Sequence, residues 1–131
     1  MDKYRILVKG IVKYEDKYLI VSRWHDDRVS EPYEWSFIDG TIEFGEASDK
    51  AVQRQIFEQT GISVTIDRPL YTWFFMMGDE FNIGITYLCL ATIDTVLLSE
   101  ELVDYRWIKR EEFDSYINRK VMEDIERLEW M

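Results

Sequence analysis

The sequence predicts an α+β fold, an α/β/α sandwich in which a mixed β-sheet lies between helices. Two observations carry this. Apolar, β-prone runs recur along the chain with short polar breaks between them. Among and after them lie stretches whose apolar residues are spaced by three and four, the period of a helix that buries one face. Strands interleaved with two or three helices can bury both faces of a single sheet.

Taken in order, Arg5–Tyr14 and Lys17–Arg23 are β-prone runs parted by Glu15-Asp16, the pattern of a hairpin. The polar stretch from Trp24 to Glu34 carries Pro32 and is expected to be a loop. Trp35–Ile38 and Thr41–Phe44 are expected to be short strands, with Asp39-Gly40 turning between them. Ala47–Thr60 is the strongest helix. Ala47 or Ser48 opens it, Gly61 stands where a left-handed C-cap is wanted, and Val52 and Ile56 face the sheet. Ile62–Ile66, Leu70–Met77 and Phe81–Ile93 are expected strands, the last two a hairpin around Gly78-Asp79-Glu80. Tyr105–Ile108 is a short strand after an acidic turn. Glu111–Ile117 and Arg119–Trp130 are expected helices, the second with Val121, Ile125 and Leu128 on one stripe.

At 131 residues the chain is expected to form one domain, residues 1–131, with a single core. Hydrophobic residues at 47% and aromatics at 15% exclude a disordered or fibrous chain. Sixteen basic residues against twenty-six acidic ones leave a formal charge of −10. Such a surface repels a nucleic-acid polymer, and the basic residues are too scattered to form a patch against it. A small anionic ligand remains open, with a divalent metal to offset the repulsion. Cys89 is the sole cysteine, so no intrachain disulfide forms. Neither an apolar leader nor an 18-residue apolar run is present, and a cytoplasmic location away from membranes is expected. A homodimer is allowed.

The most informative stretch is Gly40-Thr-Ile-Glu-Phe-Gly-Glu46, followed by Arg54-Gln-Ile-Phe-Glu-Gln-Thr-Gly-Ile62. Its spacing resembles the Nudix box, Gly-x5-Glu-x7-Arg-Glu-U-x-Glu-Glu-x-Gly-U, where U is a bulky aliphatic. Seven of the nine specified positions stand here: Gly40, Glu46, Arg54, Ile56, Glu58, Gly61 and Ile62. The other two are carboxylates replaced by amides, Gln55 and Gln59. Upstream, the family usually reads Trp-x-x-Pro-Gly-Gly, whereas this chain reads Trp35-Ser-Phe-Ile-Asp39-Gly40.

The resemblance implies a Nudix-type fold and the hydrolysis of a nucleoside diphosphate linked to another moiety. That chemistry needs divalent cations, Mg²⁺ or Mn²⁺, and a base to activate water. Positions 55, 58 and 59 lie at i, i+3 and i+4, so they share one helix face. In the family this face carries three glutamates; here it carries Gln55, Glu58 and Gln59. The resemblance also implies that the Gly40 carbonyl reaches the metal, and that Glu46 and Arg54 orient the helix carboxylates. A further acid from a loop before the last strand points to Glu101 in preference to Glu100. Asp39 is either a replacement ligand or a structural turn residue.

A glutamine keeps the size of glutamate but loses its charge, and it binds a hard dication weakly. Loss of a general base lowers rates by about 10²–10⁴-fold, so metal affinity and turnover are both expected to be reduced. Two functions stay open: an atypical hydrolase, or a sensor domain that binds a nucleotide or other phosphorylated ligand without cleaving it. Trp24, Tyr33 and Trp73 are candidate ligand-contacting aromatics, Trp73 within an alternating run that could stack a base or pack the sheet. His25, the only histidine, is expected to be an ordinary loop residue.

Overall fold

The computed structural model describes residues 3–24 and 34–128. Its elements are strands β1 (Lys3–Tyr14), β2 (Lys17–Arg23), β3 (Trp35–Ser36) and β4 (Ile38–Thr41), helix α1 (Ser48–Thr60), strands β5 (Val64–Met77), β6 (Glu80–Ala91) and β7 (Leu102–Lys109), a 3₁₀ turn (Arg110–Glu112), and helices α2 (Phe113–Tyr116) and α3 (Arg119–Glu126). The sheet is mixed. β1 lies at its centre and runs parallel to β6 from Lys3 opposite Glu80 to Lys13 opposite Leu90. On its other side β1 pairs antiparallel with β4 and then with β2. β2 continues outward to β3 and β7, while β5 closes the opposite edge against β6.

Alternation along the strands supplies two cores. Val8, Val12, Leu19 and Val21 turn toward α1, where Ala51, Val52 and Ile56 meet them. Ile11, Tyr18 and Ile20 turn the other way, toward Phe113, Ile117, Met122 and Ile125. The predicted sandwich is therefore present, with the helical spacing of Val52 and Ile56 placing both on the sheet. A side chain buried as fully as Ile56 contributes about 1.5–3 kcal/mol. α1 ends as expected: Gly61 is left-handed at φ 74°, and its N–H reaches the Phe57 carbonyl at 2.8 Å.

Several boundaries differ from expectation. Asp39 and Gly40 do not form a turn; they lie inside β4, opposite Lys9 and Val8 of β1. Their backbone is drawn into the central ladder, so the chain reverses later, at Phe44-Gly45, where Gly45 takes φ 82°. Thr41–Phe44 is accordingly not a strand beyond Thr41. The two strands expected between Ile62 and Met77 are one long strand with register shifts on either side of Arg68-Pro69. An irregular ladder there accommodates Pro69, which has no N–H to donate. α3 stops at Glu126, and its buried stripe is Met122 and Ile125, with Val121 at the margin. Most of the Trp24–Glu34 loop, with His25 and Tyr33, lies outside the described residues.

Candidate active site

Arg54 is the hub of the box. Its Nε donates to Glu46 Oε2 at 2.7 Å and its Nη2 to Glu46 Oε1 at 2.9 Å, a two-pronged pair. Nη2 also reaches the Thr41 carbonyl at 3.0 Å, and Nη1 reaches Glu58 Oε2 at 3.2 Å. Glu46 Oε1 accepts as well from the Glu43 N–H at 3.1 Å. These hydrogen bonds, Arg54's foremost, hold the Glu46 carboxyl below its ordinary range, and Glu46 in turn raises the Arg54 guanidinium. The clamp ties the start of the box to the helix that carries Gln55, Glu58 and Gln59.

The two glutamines use the one ability that glutamate lacks, donation. Gln55 Nε2 donates to the Thr41 carbonyl at 3.1 Å. Gln59 Nε2 donates to the Asp39 carbonyl at 2.9 Å and to Gln55 Oε1 at 3.0 Å. Gln59 is only 1% exposed. Carboxylates in the same positions would set oxygen against oxygen at all three contacts. Gly40 permits this packing, because a Cβ there would sit 2.1 Å from Gln55 Cδ.

Opposite Gln59 stands a residue that the motif did not single out. Arg23, at the end of β2, sends Nη2 to Gln59 Oε1 at 2.8 Å and to both the carbonyl and Oδ1 of Asp39 at 3.1 Å. Its Nη1 reaches Glu101 Oε2 at 3.3 Å. Asp39, Gln59 and Glu101 are thus gathered around one guanidinium. Glu58 lies on the outer part of the face, its side chain more than half exposed.

Beside this cluster, on the sheet face away from α1, is a cavity of about 250 Å³ lined by Lys9, Asp39, Trp73, Phe75, Asn118 and Asp124 among others. Asp39 belongs to both regions. Trp73 is therefore at a concave site adjoining the box, whereas Trp24 is exposed and does not line the cavity. Lys9 and Arg23 were missed as site residues. Lys9 carries one available signal, a lysine inside the otherwise apolar run Ile6–Val12.

A seven-stranded mixed sheet between helices, carrying a box helix clamped by Arg54 and Glu46, defines a recognisable class. The NUDIX domain model matches residues 4–131, and the chain belongs to the Nudix family. It is 27% identical over 125 residues to nucleoside triphosphatase NudI of Escherichia coli (strain SE11), covering 87% of this chain and 88% of that protein. Among solved structures, the MutT protein of Methanosarcina mazei superposes with a TM-score of 0.83 at 22% identity, covering 96% of this chain and 93% of that one. A C. elegans Ap4A hydrolase gives 0.75 at 18% identity, covering 94% and 93%. These two structural likenesses concern the fold.

Nudix hydrolases generally use divalent metals. The side chains as placed here do not fit one. Among the described residues, no group of three or more His, Cys, Asp or Glu side chains is positioned to hold a metal ion. Asp39 and Glu101 are engaged by Arg23, Glu46 and Glu58 by Arg54, and the remaining two positions are amides.

Proposed function

We propose that this chain is a Nudix-type domain for a nucleoside diphosphate linked to another moiety, in which metal-dependent hydrolysis is weakened or lost. The observation that carries this reading is the Gln55–Gln59–Arg23 network. Two amides and a guanidinium fill the face where carboxylates would gather a dication, so affinity for Mg²⁺ or Mn²⁺ is reduced. Two of the similar proteins, a nucleoside triphosphatase and an Ap4A hydrolase, support a nucleoside polyphosphate as the ligand class. The cavity next to Asp39 supports a ligand whose ring enters it while its phosphates lie toward the box.

A second reading, residual hydrolysis, is favoured by Glu58, an acid that survives on the helix face and is open to solvent. Product release from nucleoside triphosphates, nucleotide sugars and dinucleoside polyphosphates separates the two. The assay compares the natural chain with Gln55→Glu/Gln59→Glu, in Mg²⁺ and in Mn²⁺. Turnover only in the double variant supports a binding domain with disabled chemistry. Turnover at an ordinary enzymatic rate in the natural chain overturns it and leaves the hydrolase reading.

A further inference from the structure

The cavity is lined by one largely buried lysine. Lys9 is only 9% exposed and lines the cavity, and among the described residues its ammonium makes no hydrogen bond or ion pair. It lies over the face of Trp73, 4.8 Å from the ring centroid. An unpaired buried ammonium is costly, and a π-face returns only part of its lost hydration. The sheet explains how it got there. Asp39, Lys9, Thr86 and Tyr71 form one row across β4, β1, β6 and β5, and paired residues in a row project to the same face.

The next row is Leu7, Gly84 and Trp73. Gly84 lets the indole lie flat on the sheet, since a Cβ there would sit 2.3 Å from Trp73 Cζ2. Trp73 Nε1 then donates to Thr86 Oγ1 at 3.0 Å, fixing the ring. Phe75 lies parallel to it, 5.8 Å away with 7° between the planes. The result is a fixed aromatic platform, with the Lys9 ammonium over the Trp73 ring and the carboxyl-bearing Asp39 and Asp124 on the surrounding wall. The volume, about 250 Å³, suits one ring system and not a whole nucleotide.

We propose that Lys9 is a specificity-determining residue, and that the cavity selects a ring carrying an oxo group beside a ring N–H, as in guanine or uracil. This rests on the reading above that the site takes a nucleotide-like ligand. An ammonium only donates, and a carboxylate only accepts. An oxo group answers Lys9, and the adjoining N–H answers an aspartate. Adenine and cytosine carry an amino group in place of that oxo group and a bare ring nitrogen in place of the N–H, so in the same orientation both the match to Lys9 and the match to an aspartate are reversed. The aromatic platform itself does not discriminate, because every base has a π-face.

The test is calorimetric titration of the full chain with GDP, ADP, UDP and CDP, and with guanosine and uridine. The variants are Lys9→Met and Lys9→Gln, each checked by thermal melting. A hydrogen bond to a charged group predicts GDP over ADP, or UDP over CDP, by about 10–100-fold. Lys9→Met brings the members of each pair to within about twofold; Lys9→Gln, which can donate and accept, does the same should the methionine variant not fold. Equal affinities within both pairs in the natural chain overturn the proposal, as does a preference that survives both substitutions. Diphosphates that bind with no base preference sink this inference alone. Lys9-dependent binding of guanosine or uridine, with no gain from the diphosphate, upholds the inference and sinks the phosphorylated-ligand reading. No binding by any probe overturns both.

Discussion

Arg23 and Gln59 are joined by a 2.8 Å hydrogen bond, the guanidinium Nη2 donating to a side-chain carbonyl that is closed off from solvent. That bond places a permanent positive charge among Asp39, Gln59 and Glu101. Arginine stays charged at any pH the fold survives, so a dication entering this cluster meets both Coulomb repulsion and competition for oxygens. Arg23→Ala is therefore expected to raise Mn²⁺ affinity by about tenfold or more, the scale of changes around a metal site. It also leaves Gln59 Oε1 without its partner, at about 1–3 kcal/mol in stability. Mn²⁺ titration followed by electron paramagnetic resonance, with urea unfolding alongside, measures both. Unchanged Mn²⁺ affinity would show that Arg23 does not oppose the ion.

Gly40 and Gln55 provide the second prediction. A Cβ added at residue 40 would stand 2.1 Å from Gln55 Cδ, so Gly40→Ala cannot coexist with the present rotamer of Gln55. Overpacking of this kind costs about 1–3 kcal/mol. The double variant Gly40→Ala/Gln55→Ala removes the clashing amide and should recover most of the loss. Urea midpoints of the two variants decide it: equal destabilisation in both would mean that the penalty lies in the β4 backbone and not in the contact.

The contrast between these two sites shows what could be read beforehand. Val52, Ile56 and Gly61 lie within one motif, where helical period and the C-cap signal settle their places, and the Arg54–Glu46 pair was implied by the resemblance of that motif to the Nudix box. Arg23 could not be placed this way. Its partners are 16, 36 and 78 residues away, on β4, on α1 and just before β7, and only the pairing of β2 with β7 and of β4 with β1 brings them together. The misplaced Asp39-Gly40 turn has the same origin. Local composition favoured a turn, but the long-range ladder to β1 took these residues into a strand. Lys9 was visible as an oddity in an apolar run, yet its burial depends on Trp73 lying across Gly84 of the neighbouring strand.

Glu46 gives a pH prediction. Its carboxyl is held below the ordinary 4.5 by hydrogen bonds from Arg54 and from the Glu43 N–H. A depressed folded-state value means that the unfolded chain binds the proton first as acid is added. The stabilisation is then complete above about pH 4.5 and is lost as pH falls toward the lower folded-state value. Glu46→Gln removes this titration. Its urea midpoint is expected to lie below that of the natural chain at pH 7, with the gap narrowing as the pH falls below 4.5. A gap of constant size from about pH 7 down to about pH 3, below the ordinary glutamate value, would mean that the pair acts only through packing.

Lys9 gives a dependence of the same sign from the opposite cause, a charge that the fold disfavours. Burial pushes its amine below the ordinary 10.5, and the nearby acids Asp39, Asp124 and Glu34 only partly counter this, with Lys120 adding to the fall. Between the lowered folded-state value and 10.5 the unfolded chain holds a proton that the folded chain has released, so stability rises with pH across that window. Lys9→Met, which keeps the length and sheds the charge, is expected to stabilise the ligand-free protein by about 1–3 kcal/mol at neutral pH. That advantage should shrink as the pH rises toward 10.5 and vanish only above it, where the lysine is neutral in both states. Urea unfolding of the two proteins across this range provides the check. A methionine variant less stable than the natural chain at neutral pH would mean that the ammonium–indole contact outweighs the desolvation of the charge. A stabilised variant would mean that the fold tolerates an unfavourable lysine at this position, which is the pattern expected of a residue kept for a ligand.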